Sequence, residues 1–238
     1  MIKINPVLDL PLNEGSGTTV YDRSGHNNHV TLFGATWQKI WRDWVLYFDG
    51  ADDYGAIQNL YFNKANQLKE FTVIAWVKIP LTGGDWSILD FDRSEYFTCC
   101  AGVPSGSASG EGDYVGFHTT ASGYGIHDMW SVSPVRDNEW HCIAWRFNCY
   151  EVYDKKIYID GVLDAQADAY PTGVGVGSGV TRYGFIGDGS EASSFNGNRN
   201  NIYYEGYIGE IKFFLKALDD DQIAFLATLF KGEKRSPP

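Results

Sequence analysis

The stretch from Glu139 to Gln166, EWHCIAWRFNCYEVYDKKIYIDGVLDAQ, constrains the fold more than any other part of the chain. Trp140 to Phe147 alternates, with His141, Ile143, Trp145 and Phe147 on one face and Trp140, Cys142, Ala144 and Arg146 on the other. Lys156 to Ile159 then meets Asp160-Gly161, and the chain continues as Val162 to Gln166. A two-residue Asp-Gly between such runs is a strong hairpin signal, because a type I′ turn needs positive φ at both centres. The segment therefore reads as a three-stranded antiparallel meander. Its first strand is apolar on nearly every position, which predicts cover on both sides and a central place in a two-layer β structure.

Composition agrees. Aromatic residues make up 16% of the 238 residues and glycines number 27, which suits a large sandwich core closed by many turns. The net charge of −11 argues against nucleic acid, whose phosphates need clustered Lys and Arg. An acidic surface is compatible with neutral glycans, with divalent cations and with plain solubility. The first residues, MIKINPVLDLPLNEGSG, lack the basic and apolar regions of a secretory signal, and no window approaches a membrane span. Cys99, Cys100, Cys142 and Cys149 sit at no metal-finger spacing and are expected to be free thiols.

In chain order, Leu8, Leu10 and Leu12 share a face, while Pro6 and Pro11 assign this segment to an edge. Arg23 to His29 is a compact polar loop. Thr31 to Trp37 reads as a strand, Gln38 to Asp43 as a connector, and Trp44 to Phe48 as a strand ending at Asp49-Gly50. Phe71 to Ile79 is a buried strand. Trp86 to Phe91, Tyr96 to Cys100, Tyr114 to Thr119, Met129 to Val132 and Tyr183 to Gly187 are further strands. Residues 101–113, 171–181 and 188–201 are polar or Gly-rich loops. Ile202 to Leu215 reads as a last strand pair with a bulge at Gly206 or Gly209. Asp219, with Gln222 three residues on, predicts a capped helix whose apolar stripe is Ile223, Leu226, Ala227 and Phe230, stopped by Gly232. One domain over residues 1–232 and a tail over 233–238 is the expected organisation.

An ordered set of short stretches carries a resemblance. Leu12-Asn13-Glu14-Gly15-Ser16-Gly17 leads to Tyr21-Asp22-Arg23-Ser24-Gly25-His26-Asn27-Asn28-His29, and then to Leu46-Tyr47-Phe48-Asp49-Gly50 with Asp53-Tyr54. Phe71-Thr72-Val73 with Ala75-Trp76-Val77, Glu139-Trp140-His141 and Ile157-Tyr158-Ile159-Asp160-Gly161 follow. Tyr204-Glu205-Gly206-Tyr207-Ile208-Gly209-Glu210-Ile211 and Ala217-Leu218 complete it. The chain resembles the laminin-G-like branch of the concanavalin A-like lectin/glucanase superfamily, relatives of the pentraxins. The resemblance implies an all-β fold, a two-sheet antiparallel jelly-roll sandwich, with a short C-terminal helix. Val30 departs from the usual glycine after His29, and Gly209 stands where an Asp is common, which weakens a carried-over metal site.

The resemblance implies a structural Ca²⁺ held by Asp22 and Glu210, with Asn27 as a further oxygen donor. A loop of Asp, Gly and Asn offers the oxygens that calcium takes. The same residues also suit an Asx-turn in which Asp22 and Asn27 bond only backbone amides. A glycosidase needs two carboxylates on one face. Alternation would put Asp90 and Asp92 together, with Glu95 joining them only through a bulge, but the glutamate that would open a glucanase strand is missing, so no enzyme is expected. His141 reads as a core histidine bonded to backbone. Trp86 and Trp130 border loops and could stack on a sugar, and Asn196, Asn198, Arg199 and Asn200 offer a polyol donors and acceptors. The expectation is non-catalytic recognition of a glycan or surface glycoprotein, without nucleic acid or membrane insertion. The alternative is a structural surface subunit of a virion, a decoration or tail-fibre protein that reaches the surface by homo-oligomer, capsid or fibre assembly. A glycoside hydrolase or lyase comes third.

Overall fold

The computed structural model describes residues 5–40, 43–81, 87–101 and 113–234. Sixteen strands and one helix follow one another in these residues. They are β1 (Leu8–Leu10), β2 (Thr19–Val20), β3 (Val30–Phe33), β4 (Thr36–Ile40), β5 (Asp43–Asp49), β6 (Tyr54–Phe62), β7 (Glu70–Lys78), β8 (Ser87–Asp90), β9 (Phe97–Ala101), β10 (Val115–Ala121), β11 (Gly125–Trp130), β12 (Trp140–Asn148), β13 (Lys155–Ile159), β14 (Val162–Ala167), β15 (Arg182–Ile186), β16 (Glu205–Phe214) and α1 (Asp220–Lys234).

The strands form two antiparallel sheets. Sheet I runs β14-β13-β12-β7-β16-β5-β4 with β1 beside β16, and sheet II runs β11-β10-β9-β8-β15-β6-β3-β2. This is the expected jelly-roll sandwich. The meander lies where its pattern placed it. Asp160 and Gly161 have φ of +53° and +84°, and β12 sits between β7 and β13. Ile143, Trp145 and Phe147 face the interior, whereas Trp140, Cys142 and Ala144 face a second apolar layer under α1.

The interior is filled by rings. Phe71 of sheet I stacks on Phe97 of sheet II with centroids 4.7 Å apart, and both lie near Phe213. Each such ring buries an area that dominates core energetics. On the outer face of sheet I, Trp76 stacks on Trp140 at 3.8 Å, and Ile223 and Ala227 of α1 close over them. The capping box is formed, with the Gln222 amide donating to Asp219 Oδ1 at 2.8 Å and the Asp219 amide donating to Gln222 Oε1 at 3.0 Å. All four cysteines are free and buried.

The structure corrects several expectations. Gln38 belongs to β4, not to a connector, because Gly34 at φ +78° lets the chain turn from β3 in sheet II to β4 in sheet I. The strand after β10 runs Gly125–Trp130, earlier than Met129 to Val132, since a tight turn pairs Ala121 with Gly125. The span Ile202 to Leu215 holds one long strand, Glu205–Phe214, not a pair. Its register against β7 shifts between Ile208 and Ile211, at Gly209. Helix α1 continues to Lys234, two residues past Gly232, so the 232/233 boundary falls inside it. Trp86, residues 102–112 of the 101–113 loop, the side chain of Phe230 and tail residues 235–238 lie outside what is described.

Candidate functional site

The outer face of sheet II carries a polar layer that is largely closed to water. Asp90 ends β8 with 1% of its surface exposed. Its carboxylate accepts hydrogen bonds from the amides of Asp92 (2.5 Å) and Ser190 (2.9 Å) and from the hydroxyls of Ser87 (3.2 Å) and Thr98. Burial pushes its pKa up to about 7 against the pull of these donors. Two strands away, His118 Nδ1 lies 2.7 Å from Asp128, whose carboxylate also receives both arms of Arg93. Burial opposes the charge on Asp128, yet His118 and Arg93 hold its pKa well below the ordinary value. Burial lowers the pKa of His118. Arg93, at 53% side-chain exposure, and Asp128, at 31%, form the open margin of this layer.

The acidic strand does not align its carboxylates by alternation. β8 stops at Asp90, and Asp92 takes φ +70°, so the alternation expected to align the two carboxylates is broken. Asp92 accepts from the Ser94 amide and hydroxyl and, at 2.6 Å, from Arg182 Nε. Glu95 accepts from Ser178 Oγ and lies 3.9 Å from Arg182 Nη2. Thus Asp92 and Glu95 converge on an arginine while Asp90 stays in the covered layer.

Trp130 closes β11, edge-on to His118 with centroids 4.5 Å apart. It opposes Gly116 in register, where a Cβ would come within 2.4 Å of the indole. The 188–201 loop sits elsewhere on the same face. Asp188 is fully buried, accepts from the amides of Gly189 and Ile202, and pairs with Arg199 at 2.8 Å. The Arg199 guanidinium lies 3.6 Å from the centre of the Tyr54 ring. Arg199 is therefore committed to holding the loop, while Asn196, Asn198 and Asn200 are exposed. Three strand spacings separate β8, beside this loop, from β11, which is about 14 Å at the usual spacing. Trp130 and the asparagines are not brought together.

The residues proposed for calcium do not fit a bound cation. Asp22 accepts from the amides of Asp9, Ser24 and Asn28 at 2.9 Å each and from the Ser24 hydroxyl at 2.7 Å. A carboxylate has about four lone-pair sites, so its capacity is taken. Burial works against its charge, but these donors leave its pKa below the ordinary value. Glu210 pairs with Lys212 Nζ at 2.5 Å, and the same ammonium binds Asp9 at 2.6 Å. Asn27 takes φ +59° and donates nothing toward Asp22; its carbonyl accepts from Asn59. Asx-turn chemistry accounts for Asp22, and an ammonium lies beside Glu210.

Three arrangements were not anticipated. Asp49, Asp52 and Asp53 bring carboxylate oxygens within 4.8 Å of one another after β5, where Asp49 caps the amide of Ala51. The run Asp49-Gly50-Ala51-Asp52-Asp53 could have signalled that turn. His141 is bonded to Asp160 at 3.1 Å and Asp137 at 3.2 Å, not to backbone, and the Asp160 bond leads in raising its pKa. Lys155 is wholly buried, with its Nζ donating to the carbonyls of Phe117 and His127. Nothing in the alternation of Lys155-Lys156 distinguishes it from a surface lysine.

The model of one protein family, described as the concanavalin A-like lectin/glucanases superfamily, matches residues 49–224. No curated protein sequence matches the chain. Among solved structures, the binding domain of Paraclostridial Mosquitocidal Protein 1 is similar, with a TM-score of 0.68 at 12% identity over 95% of this chain and 52% of that one. The binding domain of Botulinum neurotoxin DC is similar in its complex with rat synaptotagmin II, with a TM-score of 0.64, 17% identity, 94% of this chain and 52% of that one. In its complex with SialylT the TM-score is 0.64 at 15% identity, over 94% of this chain and 51% of that one. The chain spans about half the length of these structures. At such identities the likeness is one of fold.

Proposed function

The chain belongs to the concanavalin A-like lectin/glucanase superfamily, and from that premise we propose that it is a non-catalytic recognition module for a glycan or a surface glycoprotein. The carrying observation is the open margin of the outer face of sheet II. There Arg93 and Asp128 are locked together by paired hydrogen bonds beside the half-buried ring of Trp130, stacked edge-on against His118. A fixed donor–acceptor pair next to an aromatic plane matches a sugar, which presents hydroxyls at its edge and C–H groups on its face. Rigid groups also lose little entropy on binding. Similar folds described as binding domains, one in complex with synaptotagmin II and one with SialylT, support recognition of protein or glycan ligands.

The commitment of Asp92 and Glu95 to Arg182 supports binding without turnover. A glycan array on the purified protein, with calcium and with chelator, tests the reading. Binding that Trp130→Ala abolishes would uphold it. Release of oligosaccharide product would overturn the non-catalytic part. Absence of any binding, together with a symmetric oligomer in solution, would favour the alternative of a structural surface subunit.

A further inference from the structure

At one end of the sandwich an open depression of ≈ 460 Å³ lies between the end of β6, the start of β7, the turn after β12 and the chain leaving β16. Pairing of Glu70 with Asn148 and of Thr72 with Phe214 sets its walls side by side. The walls are fixed by backbone bonds. The Cys149 amide donates to the Lys69 carbonyl at 2.9 Å, and the Thr72 hydroxyl donates to the Lys216 carbonyl at 2.9 Å. The depression is thus preformed, and its size is that of a small-ligand site.

Its chemistry is specific. Phe62, 2% exposed, and Tyr150, 59% exposed, are the aromatic rings of its lining. Two lysines, Lys69 and Lys216, are among its lining residues. Lys69 spends one donor on the Gly173 carbonyl at 2.6 Å, which leaves two. Lys216 pairs with no carboxylate among the described residues. In a chain of net charge −11, a pocket lined by two lysines and one carboxylate, Glu70, keeps a net positive charge and is a local inversion of sign. Glu70 has only a long bond, 3.5 Å from the Ala217 amide, and Gln67, whose Oε1 accepts from the amides of Asn63 and Lys64, keeps its Nε2 donor, so both can meet hydroxyls.

We propose that this depression binds an acidic sugar, a pyranose ring bearing one carboxylate, at the end of a glycan chain. The C–H face of the ring lies on Tyr150, the carboxylate lies between Lys69 and Lys216, and hydroxyls reach Glu70 and Gln67. The exposed tyrosine calls for a ring, the lysines for an anion, and Glu70 for hydroxyl donors. Glu70 also selects among anions, because a doubly charged phosphate is repelled more than a carboxylate. The inference deepens the recognition reading, but it uses residues on a different surface from Trp130.

Saturation-transfer NMR and calorimetry with glucuronic acid and N-acetylneuraminic acid test it, with galactose and inorganic phosphate as comparison ligands. At least one acidic sugar should bind. Affinity should drop about tenfold in Lys216→Gln, the equivalent of one lost ion pair at 1.4 kcal/mol, and by at least as much in Tyr150→Ala. Both side chains are exposed, so melting temperatures should stay near that of the parent and report folding independently. No binding of either acidic sugar, equal binding of galactose, equal binding of phosphate, or unchanged affinity in both variants would each overturn the proposal. If array binding is lost in Trp130→Ala but kept in Tyr150→Ala and Lys216→Gln, this inference fails while the recognition reading stands.

Discussion

The buried ammonium of Lys155 crosses the sandwich to donate a 2.7 Å hydrogen bond to the carbonyl of Phe117, joining β13 of sheet I to β10 of sheet II. A second bond, 2.8 Å, reaches the carbonyl of His127 on β11. Burial lowers the pKa of Lys155 from 10.5 to about 7, although Asp128 and Asp154 favour its charge. The unfolded chain therefore holds this proton up to 10.5, whereas the folded chain releases it near 7. Stability should rise as pH climbs through that window, by up to about 1.4 kcal/mol per pH unit. Denaturant titrations from pH 7 to 10.5 should show this slope, and Lys155→Met should flatten it. An equal slope in the variant would mean that other groups set it.

Asp90 acts with the opposite sign on the acid side. Burial raises its pKa from 3.8 to about 7, so the folded state binds a proton that the unfolded state has lost. Its contribution is fully present below 3.8 and fades as pH rises toward 7. Asp90→Asn keeps an acceptor for the Ser190 and Asp92 amides and should weaken the fall in stability between pH 4 and 7. Carboxyl NMR shifts would give the titration directly, and a midpoint near 4 would refute the buried neutral acid.

Gly209 belongs to the bulge of β16, and a Cβ built there would come within 2.2 Å of Trp76 Cε3. The indole is held by its stack on Trp140 and cannot retreat cheaply. Gly209→Ala should cost about 1–3 kcal/mol, the range for overpacking. Thermal melts would measure it, and a neutral substitution would show that the Trp76–Trp140 stack yields.

The engagement of Asp22 and Glu210 predicts indifference to calcium. Melting temperature should be the same in millimolar calcium and in chelator. Asp22→Ala should lower it equally in both, because it orphans the amides of Asp9, Ser24 and Asn28. A stabilisation by calcium that Asp22→Ala removes would restore the metal site.

The box formed by Asp219 and Gln222 predicts a smaller effect. Asp219→Ala should cost about 1 kcal/mol. Because α1 covers Trp76 and Trp140, tryptophan fluorescence should report its loosening, and an unchanged spectrum with unchanged stability would refute the coupling.

Much of the fold was legible because its signals are local. Asp160-Gly161 specifies positive φ whatever surrounds it, and the alternation of Trp140 to Phe147 fixes which side chains go inward once the strand forms. The capping box is likewise contained in four residues. The Gly34 corner was missed because a short link between sheets looks like continued strand. Trp130 was legible as a ring beside a loop, but not its contact with His118, which depends on the register between β10 and β11.

The sequence by itself determined the class of fold, the central meander, a bulge at Gly206 or Gly209 and the capped helix, since periodicity and turn chemistry are properties of neighbouring residues, and the register against β7 chose Gly209. Tertiary structure alone decided the charge and commitment of the polar groups. Asp90 is sealed while Asp92 and Glu95 meet Arg182, ninety and eighty-seven positions along the chain from them. Lys155 is drawn inside while Lys156 pairs with Glu151 at the surface. Lys212 sits between Asp9 and Glu210, and Lys69 and Lys216, at the ends of two strands, line one pocket. An ionisable group responds to burial and to charges within a few ångströms, and in a sandwich of long-range strand pairs those neighbours come from distant parts of the chain.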